Sequence, residues 1–497
     1  MSINRFTVYS WLLPLLFFQC VFLTVPAFAD IQNPSPSEKR LVKDLDDIVQ
    51  DTSFSSALLG MHIESIDTGE VLYSYNSNKR FIPASNIKLF TTAAALVRLT
   101  PHFSYTTYLL TNGSILAGIL YGDLIILGKG DPAISSYYHS GRAEAVFETW
   151  VDTMKQYGIQ KVEGNIIVDN SYFQDTPLGK GWSWDDELFC FSSEKDAFSF
   201  NNNCLKIVVR ESKVGECAII QLEPETRYYT IENKIVTVGK NGMLQITIER
   251  GKEGNTLKLS GTFPSGEKEY RTYVSVKNPW RFGATVLKEI MERKGITVTG
   301  SIYNQTMASH VPYTIIDSYH SPPLSHIITV INKESNNLQA ELLFLTLGKE
   351  QKGKGDSDTG QAVIKEFLDE QRISTNDFYM VDGSGLSRYN LVTPKTIVQL
   401  LRFMAHHHYF EQYYNSLSIA GVDGTLKNRM KQKPLVNRIR GKTGVMKNIR
   451  NLSGYLQTLD GELIAFSFMC NNFSVPPQQI NLLYEAICLR LINFSRK

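Results

Sequence analysis

Ser85-Asn86-Ile87-Lys88 sets a hydroxyl and an amine three residues apart at the head of an apolar run. Residues i and i+3 of a helix share a face, so the amine can reach the hydroxyl and act as its base. Free N–H groups at a helix start also suit an anionic intermediate. The pattern is weak alone: residues 192–195 and 265–268 repeat it, and Ser85 reads equally well as a helix cap. Only the first copy precedes an apolar helical stretch. Ser335-Asn336-Asn337 stands before another such stretch, where capping is again the plain reading. Lys442-Thr443-Gly444 reads as a strand ending in a turn.

Other chemistries fare worse. The sequence has no H-E-x-x-H and no G-x-S-x-G, and Val436 stands where a phosphate loop ending at Gly441-Lys442-Thr443 would need glycine. His406-His407-His408 ends a helical pattern and reads as a solvated cluster. No metal or cofactor is expected.

The elements that must carry these residues follow from periodicity. Leu41, Leu45 and Ile48 predict a helix over 39–49, and residues 58–75 read as a hairpin turning at Asp67-Thr68-Gly69. A strongly apolar helix is expected over 86–99. From 101 to 275, short strand candidates alternate with Gly- and Asn-rich turns, as in one or two inserted β-rich domains. Helical pattern returns over 284–293 and 338–347. Strands are predicted over 451–458 and 463–469. A last amphipathic helix over 479–492 is expected to pack on a sheet rather than a membrane.

With 43% hydrophobic residues the 497-residue chain can build a real core, which excludes disorder. Lys+Arg 51 against Asp+Glu 49 leaves a net charge of +2, without the basic excess of a nucleic-acid binder. Arg5, the apolar run after it and Ala27-Phe28-Ala29 make 1–29 an expected export signal, with no integral membrane span after its removal. Beyond it lie Cys190, Cys204, Cys217, Cys470 and Cys488, an odd set that leaves at least one thiol unpaired or bonded to another chain. The pairing stays open.

Taken in order, S-x-x-K, S-x-N and K-T-G resemble the set of the penicillin-recognising serine enzymes. Residues 332–341 (NKESNNLQAE), 128–132 (GKGDP), 182–186 (WSWDD), 382–388 (DGSGLSR) and 420–426 (AGVDGTL) narrow this to a resemblance to the type-4 penicillin-binding proteins. Those are D-Ala-D-Ala carboxypeptidases and endopeptidases. The resemblance implies an α+β domain, β-lactamase/transpeptidase-like, with an antiparallel sheet flanked by helices. Its two parts would be 30–100 and 276–497, with the inserted domains at 101–275.

It also implies roles. Ser85 is the nucleophile and Lys88 its base, which requires the lysine pKa to fall more than ~3 units from about 10.4. Ser335 relays a proton towards the leaving amine, and Asn337 holds Lys88 or the substrate amide. Lys442 is the second cation and, with Thr443, binds the terminal carboxylate. Gly444 admits the substrate strand, and the N–H groups of Val445 and Ser85 form an oxyanion hole. Arg388 and Asp186 are implied at the free end of the stem-peptide side chain. Expected partners are peptidoglycan stem peptides and β-lactams as covalent inhibitors, with the protein exported to the cell envelope. A non-catalytic wall-binding protein and a β-lactamase are the alternatives on the same scaffold. No convincing deacylating glutamate follows the S-x-N segment, which counts against the last.

Overall fold

The computed structural model describes residues 35–251 and 254–496. The expected export signal at 1–29 lies outside the described residues. Six antiparallel strands form the largest sheet, in the order Ser418–Ile419, Ile439–Met446, Ile449–Gln457, Leu463–Asn471, Leu58–Ser65, Val71–Tyr75. The expected hairpin is its last two strands. Leu58–Ser65 pairs along its whole length with Leu463–Asn471, so chain segments from opposite ends of the sequence close one sheet.

Strand alternation explains the two layers around it. Along Leu463–Asn471, Ala465 and Met469 enter one apolar cluster, while Phe466, Phe468 and Cys470 enter the other. The second cluster is covered by Pro36–Val49 and Pro477–Ile492, the latter burying Ile480, Leu483, Tyr484, Ile487 and Leu491 as expected. In the first lies Lys88–Leu99, which buries all its residues but Val97 and Arg98. A helix enclosed on all sides has no need of a polar face, hence its Ala-rich apolar sequence. Leu324–Lys333, Asn337–Lys352 and Pro394–Ala405 pack around it.

The insert is larger than its strand pattern suggests. Its five-stranded sheet runs Ile302–Asn304, Ile166–Asp169, Leu124–Leu127, Thr106–Thr111, Thr314–His320, and Thr297–Val298 edges its four-stranded sheet. Helix Pro279–Arg293 drives Phe282, Leu287 and Ile290 into the same core. Strands as far as His320 thus pair with strands of 106–169, beyond residue 275, where the inserted domains were expected to end. A helical pattern at 284–293 says nothing about which core the helix enters, and the strands after it are short.

Two further three-stranded sheets complete the insert. Cys190 and Cys204 form a disulfide; Cys217 is an exposed free thiol, and Cys470 and Cys488 are buried ones. No helix among the described residues is long and apolar enough to cross a membrane.

Candidate active site

Ser85 lies in a 3-10 turn, Ala84–Ile87, and the α-helix begins only at Lys88. The helix start expected at Asn86 is two residues early, and the difference is useful. At three residues per turn, side chains at i and i+3 eclipse, which stacks Lys88 directly on Ser85. Two glycines press on the same turn. A Cβ on Gly385 would overlap the Ala84 carbonyl, and one on Gly444 would overlap that of Pro83. Asn451 Nδ2 holds the Pro83 carbonyl from the sheet at 2.7 Å.

Lys88 is completely buried, and its Nζ meets Ser85 Oγ at 2.9 Å, Asn337 Oδ1 at 2.6 Å and the Ser384 carbonyl at 2.6 Å. A carbonyl oxygen and an amide oxygen can only accept. A neutral amine therefore spends its two hydrogens on Asn337 and Ser384, and its lone pair is left facing the Ser85 hydroxyl. The Asn337 amide is fixed in that orientation because its Nδ2 donates to the Phe191 carbonyl at 2.8 Å. Burial pushes the lysine down to about 7, against the opposing charges of Asp382 and Glu341. That depression corresponds to about 5 kcal/mol of disfavour for the charged form. Lys442, also fully buried, is held well below its usual value by burial and then by Lys88.

The S-x-N segment divides its labour. Asn336, the middle residue, does the capping, accepting the Gln339 N–H at 3.0 Å. Ser335 is thereby free of capping and adopts a left-handed backbone (φ 56°) before helix Asn337–Lys352. Its Oγ accepts from Lys442 Nζ at 2.8 Å. Strand Ile439–Met446 carries Lys442 to Val445, and Ser418–Ile419 covers its outer edge only at Arg440 and Gly441. Residues beyond Gly441 thus offer an open sheet edge to an extended peptide. Val445 there is 56% exposed, and Thr443 Oγ1 donates to Thr425 Oγ1 at 2.9 Å.

Direct hydrogen bonds thus join Ser85, Lys88 and Asn337 in one set and Ser335 and Lys442 in another, with Thr443, Gly444 and Val445 on the strand that carries Lys442. Arg388 is exposed and donates to the Lys447 carbonyl at 3.3 Å. Asp186, in the turn Trp184–Asp186, is raised by burial and then by Asp185, against the opposing charge of Arg388, with which it forms no ion pair. The competing S-x-x-K at 192–195 is disqualified, since Lys195 is bound to Asp175 at 2.6 Å.

Other participants had no assigned role in the sequence. Asp382 accepts the Gly385 and Ser387 N–H groups and the Trp182 indole N–H at 2.8, 2.6 and 3.0 Å, shaping the loop that presents Ser384. Glu341, one helical turn after Asn337, is fully buried and accepts the Ser384 N–H at 2.8 Å. Burial raises its pKa, as does Asp382. Both residues fall inside the segments 332–341 and 382–388 that carry the resemblance, which was the available signal.

A family model described as the D-Ala-D-Ala carboxypeptidase 3 (S13) family matches residues 41–483. The chain belongs to that family. It is 30% identical over 483 residues to the D-alanyl-D-alanine carboxypeptidase of Actinomadura sp., covering 95% of this chain and 87% of the relative. It is 28% identical to D-alanyl-D-alanine carboxypeptidase DacB of Haemophilus influenzae, over 84% of this chain and 86% of that one. The crystal structure of penicillin binding protein 4 (dacB) from the same organism superposes with a TM-score of 0.78 at 26% identity, covering 91% of this chain and 99% of that chain. The S13 chain described here is accordingly a serine DD-peptidase by family and by fold.

Proposed function

We propose that Ser85 is the nucleophile of a penicillin-sensitive DD-peptidase that acts on peptidoglycan stem peptides, removing terminal D-Ala or opening D-Ala crosslinks. One observation carries the residue assignment: two of the three partners of Lys88 Nζ can only accept, so a neutral Lys88 aims its lone pair at Ser85 Oγ. Lys88 takes the hydroxyl proton as Ser85 attacks the D-Ala carbonyl. Ser335, bound to Lys442, passes a proton to the leaving nitrogen as the C–N bond breaks. Water then cleaves the ester and restores Ser85.

Lys442 and Thr443 receive the substrate carboxylate, whose charge would offset the burial that depresses the lysine. The N–H groups of Ser85 and Val445 serve the oxyanion, where loss of one donor typically removes ~10²–10³ in rate. Gly444 admits the substrate backbone. Arg388 and Asp186 bracket the free end of the stem-peptide side chain. β-Lactams react at the same serine as covalent inhibitors. The protein works outside the cytoplasm after loss of residues 1–29, and its catalytic domain consists of the two chain parts flanking the insert.

Fluorescent penicillin should label the wild type and not Ser85→Ala, and the wild type should release D-Ala from a pentapeptide. An unlabelled wild type would overturn the reading. Labelling without any peptide hydrolysis would favour a wall-binding protein.

A further inference from the structure

Ala84, the residue before Ser85, has a left-handed backbone (φ 46°) although it is not glycine. Such a conformation is costly and persists only where the surrounding structure over-determines it. The turn Ala84–Ile87 lies against strands Ile439–Met446 and Ile449–Gln457, so the central sheet is what can hold it.

Strand alternation picks out the side chains that do so. On Ile449–Gln457, Leu452 and Leu456 enter the cluster beneath Pro477–Ile492, which turns Asn451 and Ser453 to the side of Lys88–Leu99. On that same side Leu463–Asn471 presents Ser467 and Asn471, and Leu58–Ser65 presents His62. A face turned to a packed core should be apolar, because a buried polar group costs free energy unless it is hydrogen-bonded. Yet all five of these polar residues are more than nine-tenths buried.

Their bonds run to the nucleophile turn. Asn471 Oδ1 accepts the Ile82 N–H at 2.7 Å, and Asn451 Nδ2 donates to the Ile82 carbonyl at 3.0 Å. Asn86 Nδ2 donates to Ser453 Oγ at 2.8 Å, and Ser453 Oγ donates to Ser467 Oγ at 2.9 Å. Asn86 is completely buried and its Oδ1 has no partner among the described residues, so Ser453 is the anchor of that side chain.

The register carries the string one strand further. Ser453 stands opposite Ser467, and Ser467 opposite His62, on one face of three neighbouring strands. Side chains directly opposed in this way have Cβ atoms about 4.5–5.5 Å apart. Ser467 accepts from Ser453 and keeps its own proton to donate. His62 Nε2 faces Glu64 Oε2 at 3.7 Å, which favours the proton on Nε2 and leaves Nδ1 as an acceptor. That Nδ1 is buried without a partner among the described residues.

We propose that His62, Ser467, Ser453 and Asn86 form one buried string that fixes the orientation of the Ser85 hydroxyl, with His62 and Asn86 as positioning residues at its two ends. The inference rests on the DD-peptidase reading and adds side chains that make no bond to Ser85, Lys88 or Lys442. Loss of one hydroxyl from the string strands the Asn86 amide in the core, and the strained turn relaxes away from the Lys88 amine. Such a shift slows acylation without touching the surface that binds the substrate.

The test uses the full mature chain and stopped-flow penicillin acylation, resolved into a non-covalent Kd and an acylation rate constant. Threonine and valine share one shape and differ in the hydroxyl. The rate constant of Ser453→Val should therefore fall at least tenfold below that of Ser453→Thr, at equal Kd and equal Tm, and the Ser467 pair should behave alike. At the far end His62→Leu should lose several-fold in the same constant, and His62→Asn, whose amide falls near the place of Nδ1, should recover most of it. Equal rate constants within the Val and Thr pairs, a loss confined to Kd, or a wild-type rate in His62→Leu would overturn the string. If a valine variant fails to fold, the His62 pair decides. A wild type that penicillin does not label would instead bring down the DD-peptidase reading and the string with it.

Discussion

Acylation of Ser85 should follow the titration of Lys88, and the depth of its burial fixes how steeply. With the lysine held at about 7, the neutral fraction is roughly 9% at pH 6, half at pH 7 and roughly 91% at pH 8. The second-order rate of penicillin acylation should therefore rise about tenfold between pH 6 and pH 8 and then level off. A lysine with the ordinary value of about 10.4 would instead give about a hundredfold rise over the same interval and no plateau below pH 9. Stopped-flow acylation with a chromogenic β-lactam, in buffers of constant ionic strength, distinguishes the two. The sign follows from the cause: burial disfavours the charged form, so the base is present above its lowered pKa and lost as pH falls through it. A hundredfold climb, or a flat profile, would refute Lys88 as a desolvated base.

Four further outcomes follow. Glu341→Gln keeps an oxygen for the Ser384 N–H but removes a charge that opposes deprotonation of Lys88, so the acid limb of that profile should move to lower pH with its plateau retained. Gly385→Ala drives a methyl into the Ala84 carbonyl beside Ser85 and should lower acylation at least a hundredfold while far-UV circular dichroism stays native. Arg388→Ala should weaken hydrolysis of side-chain-bearing stem peptides far more than of simple D-Ala-D-Ala peptides, measured as kcat/KM on both. Asp131, fully buried, is raised to about 7 by burial, against about 3.9 unfolded, so the folded state binds the extra proton and loses stability as pH rises through that window. Asp131→Asn should therefore stabilise more at pH 8 than at pH 5, by up to about 3 kcal/mol in denaturant titrations.

The side chains proposed to react were legible in the sequence because each sits in a short pattern: Ser85 with Lys88, Ser335 with Asn337, Lys442 with Thr443. Spacing along the chain does not reveal that the three patterns converge in space, yet their order pointed to it. What stayed hidden was the backbone. The carbonyls of Ser384 and Phe191 decide where the Lys88 lone pair points, and a carbonyl leaves no trace in residue type. Glu341 looked like an ordinary helix residue, since nothing local says that its carboxyl is buried against the Ser384 amide. The hairpin, the central helix and the last strands followed from periodicity. The edge of the insert did not, because Pro279–Arg293 has the same amphipathic pattern whichever core receives it.

The wide sequence gaps within the site have a kinetic meaning. Lys88 meets Asn337 across 249 residues and Ser384 across 296, and the sheet closes only when Leu463–Asn471 docks on Leu58–Ser65. Each such contact must overcome loop-closure entropy before it is rewarded, which slows folding and leaves the early chain without a nucleophile. A nascent or truncated chain that lacks these late segments would hold Ser85 beside a solvated, protonated lysine. Hydrolytic competence is thus a late folding event, and the protein is inert until nearly its whole length has found its place.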